Sequence, residues 1–299
     1  MGLGGIDLGG TKIEARFFDT ALQAGTRRRI ATPQTYTQLI DAIVAQVRWL
    51  EEQGPLAHVG LGTPGLINPE TGRMLAANLP VTGETFAADL AAAAGRSVPI
   101  INDSKAFTLS EAVHGAGQGF ATVVGLVIGT GLACGVAING QVLPDLNGQQ
   151  GEVGHLPLPA DLVAVHDLPL LTCGCGLNGC FETLIAGPGL ARLAEHMTGR
   201  SYTAEDVFAQ DDLATVRDVW CDCVASLVAM LARTIDPHVI VLGGGLGSRT
   251  DVPAHIARAL DGKLLANTVP PKLVTANHGD ASGALGAALY ARDLAGRGI

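Results

Sequence analysis

The chain has 299 residues, of which 47% are apolar and 16% are charged, and its net charge is −9. This balance excludes an intrinsically disordered chain, which combines few apolar residues with many charges. A net negative charge also argues against nucleic acid as a partner, because phosphate contacts need clustered lysine and arginine. The length predicts one or two domains.

The sequence predicts a cytoplasmic protein with no membrane partner. The charged residues Asp7, Lys12 and Glu14 interrupt the segment where a signal peptide needs an apolar core. The stretch 115–144 has no charge but contains eight glycines, so we interpret it as two buried strands and not as a membrane span. Without an export signal, the six cysteines are expected to be reduced.

The first half of the chain alternates between strand and helix patterns. Strands are predicted at 3–8, 13–18, 58–62 and 97–101, and a glycine turn joins the first two. Apolar residues at helical spacing and their flanking signals predict helices over 36–52, 86–94 and 105–114. Such alternation is typical of a layered α/β fold.

The second half begins with a glycine-rich hairpin at 121–142, which is followed by an irregular stretch rich in Gly, Pro, Cys and His. Helices are predicted at 189–197, 204–210, 214–234 and 283–294, and a strand at 239–242 leads into Gly243-Gly244-Gly245. Each half therefore starts with a strand–glycine turn–strand unit. We expect one domain of residues 1–116 plus 283–299 and a second domain of residues 117–282.

Two segments match the G-x-G-x-x-G pattern of dinucleotide sites, at 60–65 and 174–179, and we interpret neither as such a site. The pattern is weak evidence in a chain with 40 glycines, because it occurs here in two segments with unlike surroundings. In the first segment, Pro64 also stands where a helix should begin.

Two glycine turns are candidates for phosphate binding. The first has the sequence Asp7-Leu8-Gly9-Gly10-Thr11-Lys12, and the second is Gly129-Thr130-Gly131. Glycines let backbone N–H groups approach a phosphate, and a hydroxyl and an ammonium group add donors. The Asp7 carboxylate is suited to hold Mg²⁺ through water. The alternative interpretation of each turn is an ordinary tight hairpin.

Asn102-Asp103 follows a predicted strand and precedes a predicted helix. A carboxylate at this place lies at the carboxyl end of a strand, where α/β folds bind their ligands. The alternative is a helix N-cap, for which Asp is well suited.

The segment Cys173-Gly-Cys175-Gly-Leu-Asn-Gly-Cys180 is the most specific local pattern in the chain. Three thiols separated by glycine turns are typical of a metal site, and tetrahedral zinc needs a fourth ligand. His155 and His166 are both candidates for it. The alternative is three unrelated buried cysteines, and we interpret the other three, Cys134, Cys221 and Cys223, as core residues.

Taken together, these segments resemble the ROK family of sugar kinases and regulators over essentially the whole chain. The matching segments are 5–12, 60–65, Asn102-Asp103, 129–131, 151–155, 173–182 and 278–280. The resemblance implies the α/β actin-like ATPase fold, with two domains around an active-site cleft. It also implies an ATP-dependent kinase that transfers the γ-phosphate to the 6-hydroxyl of a hexose or N-acetylhexosamine, and a homodimer.

The same resemblance implies roles for single residues. Asp103 is expected to be the catalytic base that takes the proton from the sugar hydroxyl. The sugar-binding residues implied are Gly65, Asn78, Asn102, Asp103, Glu152, His155 and Glu182. The residues implied for Mg-ATP are Asp7, Gly9, Gly10, Thr11, Lys12, Gly129, Thr130, Gly131, Gly243, Gly244 and Gly245. A structural Zn²⁺ is expected on His155, Cys173, Cys175 and Cys180, with His166 as the weaker choice for the fourth ligand.

The segment 77–80, followed by Gly83, resembles the bacterial N-acetylglucosamine kinases, so this sugar is favoured over the fructokinase and glucokinase alternatives. One departure concerns Ser104-Lys105, where the family often has Ala-Asn. A lysine there is expected either to lower the basicity of Asp103 or to point to solvent. The alternative from another class is therefore a catalytically weakened sugar-binding or regulatory protein. We expect no DNA-binding domain, since the first phosphate turn starts at residue 9.

Overall fold

The computed structural model describes residues 1–144 and 146–297, and for Asp280 it describes the backbone alone. The chain divides into two compact units. The first contains residues 1–118, 135–150 and 280–297, and the second contains residues 119–134 and 151–279. The domain boundaries expected from the sequence stay a prediction. Among the described residues, no helix combines the length and the apolar character that a bilayer span requires.

The secondary structure is mixed, with twelve strands and eleven α-helices in the described residues. The strands are β1 (Gly2–Leu8), β2 (Lys12–Phe18), β3 (Ala24–Ala31), β4 (Leu56–Thr63), β5 (Leu66–Ile67), β6 (Met74–Leu75), β7 (Ile100–Asn102), β8 (Thr122–Ile128), β9 (Leu132–Ile138), β10 (Gln141–Val142), β11 (Val239–Gly243) and β12 (Lys272–Thr275). The helices are α1 (Tyr36–Glu52), α2 (Phe86–Ala94), α3 (Asp103–His114), α4 (Ala160–His166), α5 (Glu182–Ile185), α6 (Gly187–Thr198), α7 (Ala204–Ala209), α8 (Ala214–Ile235), α9 (Gly244–Gly247), α10 (Val252–Ala259) and α11 (Ser282–Gly296).

The first sheet has the strand order β3-β2-β1-β4-β7. β1 pairs antiparallel with β2 and parallel with β4, and β4 pairs parallel with β7. Alternate residues of a strand face opposite sides of the sheet. Ile6 and Leu8 of β1 accordingly join the buried cluster that contains the apolar face of α1, while Leu3 joins the cluster that contains α11.

Helix α11 approaches the first sheet closely because glycines lie beneath it. A Cβ atom added at Gly5 would overlap the carbonyl oxygen of Ala284, and one added at Gly60 would overlap that of Ala287. Gly60 therefore serves the packing of α11 on the sheet.

The second sheet has the order β10-β9-β8-β11-β12, with β11 parallel to both β8 and β12. The uncharged segment forms two adjacent strands, β8 and β9, as predicted. In α8, the fully buried Trp220 donates its indole N–H to the Ile185 carbonyl at 2.8 Å. Cys134, Cys221 and Cys223 are buried, which confirms their interpretation as core residues.

The main differences from the predicted elements have local causes. The predicted strand at 97–101 is shorter and lies at Ile100–Asn102, since Pro99 has no N–H to donate to a ladder. Helix α3 begins at Asp103 and not at 105, because Asn102 caps it. Strand β3 was not predicted, because its exposed Arg27-Arg28-Arg29 run shows no apolar alternation. The short elements α4, α10 and β12 were also not predicted from the sequence.

Candidate active site

The first glycine turn joins β1 to β2 and is closed by backbone bonds. Gly9 N donates to Lys12 O at 2.9 Å, and Thr32 Oγ1 donates to Gly9 O at 2.6 Å. Asn78 lies directly against this turn, since a Cβ atom at Gly10 would be 3.1 Å from the Asn78 carbonyl oxygen. The structure thus brings a candidate sugar residue beside a candidate phosphate turn in the first unit.

Asp7 lies near the end of β1, where its carboxylate faces the start of α11. A Cβ atom at Gly283 would be 2.8 Å from Asp7 Cγ, so a side chain at that helix position would crowd the carboxylate. Glycine at 283 was not singled out in the sequence, and only the approach of α11 reveals why it is there.

Asn102 and Asp103 lie where β7 ends and α3 begins. Asn102 is the N-cap: its Oδ1 accepts from Ser104 N at 3.0 Å and from Ser104 Oγ at 2.7 Å. Its Nδ2 donates to Gly65 O at 3.4 Å. Asp103 is the first helical residue, and its Oδ1 accepts from Ser104 N at 2.8 Å. The capping role considered for Asp103 therefore belongs to Asn102.

The environment of Asp103 shifts the pKa of its carboxyl group upward. Its side chain is accessible to solvent, yet enough protein surrounds the carboxyl group that desolvation raises its pKa, against the opposing effect of the backbone N–H groups of Ser104 and Asp103. Lys105 is 5% exposed, and its Nζ donates to Gly148 O at 3.3 Å. The expectation that Lys105 points to solvent is therefore wrong.

The second glycine turn lies in the second unit, against two other glycine segments. Gly129 N donates to Gly131 O at 3.0 Å, and Gly187 N donates to Gly129 O at 2.7 Å. A Cβ atom at Gly244 would be 2.5 Å from Ile128 O, so the segment 243–245 packs on the same turn. Helix α6 begins at Gly187 and not at the predicted residue 189, and Pro188 in its first turn is a typical signal of this earlier start.

The segment 151–155 is packed tightly on β9 through its two glycines. Gly151 has φ +100°, and a Cβ atom there would overlap the Cys134 carbonyl oxygen. The 3₁₀ turn that follows places His155 Nε2 3.7 Å from Glu152 Oε2. Elsewhere in the second unit, Glu182 Oε2 accepts from Leu132 N at 2.9 Å, just after the second turn.

The four residues predicted to hold a metal lie together. One ligand atom from each of His155, Cys173, Cys175 and Cys180 lies within 4.8 Å of all the others. Cys175 Sγ is 3.7 Å from Cys180 Sγ, and Cys173 Sγ is 3.5 Å from His155 Nδ1. Tetrahedral zinc, with Zn–S near 2.3 Å and Zn–N near 2.05 Å, requires about 3.8 Å and about 3.6 Å for these separations. The cluster therefore fits the metal.

The sequence left two histidines for the fourth position, and the structure places His155 in the cluster. His166 Nε2 instead lies 2.7 Å from Asp222 Oδ2, and Lys263 Nζ lies 2.7 Å from the other oxygen of Asp222. Burial raises the pKa of Cys180 to about 12, and its neighbouring thiols act in the same direction. A bound cation opposes this shift, because the thiolate is the form that binds metal.

Comparison with known proteins agrees with this arrangement of segments. The ROK family model matches residues 3–294. The chain belongs to the ROK family.

This ROK protein has relatives of similar length that are named as kinases. It is 38% identical over 301 residues to an N-acetylgalactosamine kinase of Shewanella sp. (strain ANA-3), with 97% of this chain and 96% of the relative covered. It is 37% identical to an N-acetyl-D-glucosamine kinase of Pectobacterium carotovorum subsp. carotovorum, with 95% and 97% covered.

Solved structures of ROK proteins share its fold. A ROK hexokinase from Thermus thermophilus is 31% identical with a TM-score of 0.87, covering 99% of this chain and 100% of that one. A ROK glucokinase from Streptomyces griseus, solved with glucose and AMPPNP, is 27% identical with a TM-score of 0.80, covering 98% and 100%. The predicted α/β class and actin-like ATPase fold are confirmed.

Proposed function

We propose that this ROK protein is an ATP-dependent sugar kinase that transfers the γ-phosphate to the 6-hydroxyl of a hexose or N-acetylhexosamine, with N-acetylglucosamine favoured. The observation that carries the proposal is Asp103, a solvent-accessible carboxyl group at the carboxyl end of β7 whose pKa is raised by desolvation. Two relatives support it, one named as an N-acetylgalactosamine kinase and one as an N-acetyl-D-glucosamine kinase, which cover 97% and 95% of this chain.

Asp103 acts as the general base. Its ionised carboxylate accepts the proton of the attacking sugar hydroxyl, and a raised pKa makes it a better proton acceptor. Ser104 N holds one carboxylate oxygen, which leaves the other for the substrate. A base of this kind contributes roughly 10²–10⁴-fold to the rate.

Six further residues bind the sugar in this proposal, and they are Gly65, Asn78, Asn102, Glu152, His155 and Glu182. In the first unit, the Asn102–Gly65 hydrogen bond holds the strand end beside the small β5–β6 hairpin. In the second unit, His155 and Glu152 face each other at 3.7 Å. Carboxylates, amides and an imidazole suit the ring of hydroxyl donors and acceptors that a sugar presents.

The nucleotide is assigned to the glycine segments. The turn 9–12 and the turn 129–131 bind the phosphates, the segment 243–245 borders the nucleoside, and Asp7 holds Mg²⁺. When bound, Mg-ATP supplies the transferable phosphoryl group. The contacts of Gly129 with Gly187 and of Gly244 with Ile128 support this assignment, since they bring three backbone-rich segments together in the second unit.

We assign the cluster of His155, Cys173, Cys175 and Cys180 to a structural Zn²⁺. Nδ1 of His155 faces the sulfur of Cys173, while Nε2 faces Glu152. A metal on Nδ1 would fix the orientation of the imidazole ring and present its other nitrogen to the sugar. The expected homodimer, cytoplasmic location and lack of a nucleic-acid partner stay predictions from the sequence.

The sugar is identified by an ADP-release assay with Mg-ATP and a panel of N-acetylglucosamine, N-acetylgalactosamine, N-acetylmannosamine, glucose, fructose and mannose. We expect turnover of N-acetylglucosamine to exceed that of the hexoses. Preference for fructose or glucose would support the alternative substrates. No turnover by folded, zinc-loaded protein would contradict the kinase proposal and support a sugar-binding or regulatory protein.

The Asp103→Asn variant tests the assigned base. Asparagine keeps the size of the side chain but does not accept a proton, so kcat should fall at least about 100-fold while sugar binding is retained. The exposed Asp261→Asn variant serves as the matched control and should keep full activity. Unchanged turnover in Asp103→Asn would contradict the mechanism.

A further inference from the structure

Ser104 is a buried residue that contacts the side chain of Asn102 twice. It lies in the first turn of α3, directly after Asp103, and 5% of its surface is exposed. Its hydroxyl donates to Asn102 Oδ1 at 2.7 Å, and its backbone N–H donates to the same oxygen at 3.0 Å. A backbone N–H only donates, so it identifies this atom as the oxygen of the amide. Ser104 therefore fixes which end of the Asn102 amide faces α3.

The surroundings of Ser104 hold its side chain in one direction. Thr108 Oγ1 donates to Ser104 O at 2.7 Å. A Cβ atom added at Gly135 of β9 would overlap Thr108 Oγ1 and would be 2.9 Å from Ser104 O, so β9 lies against this turn of α3. A side chain enclosed by its own helix and a strand has few rotamers open to it. The hydroxyl therefore stays on Asn102.

The contacts of the Asn102 amide determine what it can offer to a ligand. An amide oxygen has two acceptor positions, and an amide nitrogen carries two hydrogens. Ser104 uses both acceptor positions of Oδ1, one with its N–H and one with its hydroxyl. Nδ2 gives one hydrogen to Gly65 O at 3.4 Å. Asn102 therefore meets a ligand as a donor, through the second hydrogen of Nδ2.

The same serine also places an acceptor beside this donor. Its backbone N–H donates to Asp103 Oδ1 at 2.8 Å, so the Asn102 amide and the Asp103 carboxylate share one N–H. Asn102 is half-buried, and Asp103 is exposed. A sugar hydroxyl both donates and accepts, so a donor beside an acceptor is complementary to it.

We propose that Ser104 is a positioning residue for the sugar site, because its hydroxyl holds the Asn102 amide with Nδ2 toward the sugar. The inference rests on the proposed sugar-kinase function. Without this hydroxyl, one acceptor position of Oδ1 is open, and part of the binding free energy is used to orient the amide. The loss falls on sugar binding and not on proton transfer, since the backbone N–H that holds Asp103 stays in place.

The first test is Ser104→Ala, which removes the hydroxyl and keeps the backbone N–H. KM for the best sugar should rise roughly two- to tenfold, the value of one hydrogen bond, while kcat and KM for ATP change little. Ser110→Ala is the matched control, since Ser110 is also buried in α3 and its hydroxyl has no partner among the described residues. It should leave KM for the sugar unchanged. An unchanged KM in Ser104→Ala, or an equal rise in both variants, would overturn the proposal.

The second test asks whether the serine acts through the amide. Asn102→Ser removes the amide and keeps a residue type that caps helices well. In this background Ser104→Ala should have little further effect on KM for the sugar, and additive effects would refute the role of Ser104. If Ser104→Ala does not fold, Ser104→Cys takes its place, because a thiol is only a weak donor and should raise KM in the same direction. If Asn102→Ser does not fold, the two serine variants still decide.

The outcomes separate this inference from the kinase proposal. An active wild-type kinase whose KM for the sugar is unchanged by Ser104→Ala would overturn the inference alone. If the wild-type protein turns over no sugar, the kinase proposal fails, and sugar binding measured by calorimetry takes the place of KM. Weaker binding in Ser104→Ala than in Ser110→Ala would then still support the role of Ser104. Absence of any sugar binding would overturn both.

Discussion

Replacing Cys175 by serine separates the effect of a bound metal from that of side-chain packing. Cys175 is exposed, so the loss of its sulfur removes little buried surface. In metal-free protein the change should therefore cost less than about 0.5 kcal/mol. With zinc bound, it removes one of the four ligand atoms that lie within 4.8 Å of one another.

The expected size of the metal effect follows from binding linkage. A free zinc concentration a thousand times the dissociation constant stabilises the folded protein by about 4 kcal/mol. An unfolding entropy of about 2.1 cal/mol/K per residue over 299 residues gives about 1.6 °C per kcal/mol, so the wild-type melting temperature should exceed that of chelated protein by about 6 °C. Cys175→Ser should lose most of this difference, because three ligands bind zinc less tightly than four.

Scanning calorimetry of wild-type and variant proteins, each with buffered zinc and with chelator, measures the two expected effects. These are the cost of Cys175→Ser in metal-free protein and the rise in melting temperature that zinc causes. Cys223→Ser is the control, since this thiol is buried in α8 and lies outside the cluster. It should lower the melting temperature equally with and without metal. The structural-zinc assignment is refuted if chelation leaves the wild-type melting temperature unchanged, or if Cys175→Ser keeps the full zinc effect.

Two further predictions concern Asp103 and the packing of α11. Since the pKa of Asp103 is raised and the base must be ionised, kcat/KM should fall as the pH decreases, with a midpoint above the ordinary pKa of about 3.9. A midpoint at or below about 3.9 would contradict this. Gly60→Ala should lower the free energy of unfolding by at least about 2 kcal/mol, because its Cβ overlaps the Ala287 carbonyl, as denaturant titration would show. Gly62→Ala on the same strand, where the nearest atom is 3.4 Å away, should cost far less, and equal losses would refute the packing argument.

Features set by neighbouring residues were predictable from the sequence. The strand–turn–strand segment around Gly9 follows from alternating apolar residues and paired glycines. The three cysteines of 173–180 lie within one tight loop, so their sulfurs converge whatever surrounds them. The N-cap before α3 was also foreseen, although the side chain that fills it is that of Asn102.

The structure decided the choices that depend on distant partners. Both His155 and His166 are near the cysteines in sequence, but Asp222 of α8, 56 residues after His166, holds the second histidine. Strand β3 forms because β2 offers a ladder for it, and its own arginines give no strand pattern.

Local sequence patterns were enough to predict the order of the segments, the glycine turns and the spacing of the metal ligands, because these depend on backbone freedom and local burial. The tertiary structure alone decided which glycines meet α11, which histidine completes the cluster, and that Lys105 is buried against Gly148. Each of these depends on contacts between distant parts of the chain. Local sequence patterns do not predict such contacts, because they reflect only the preferences of neighbouring residues.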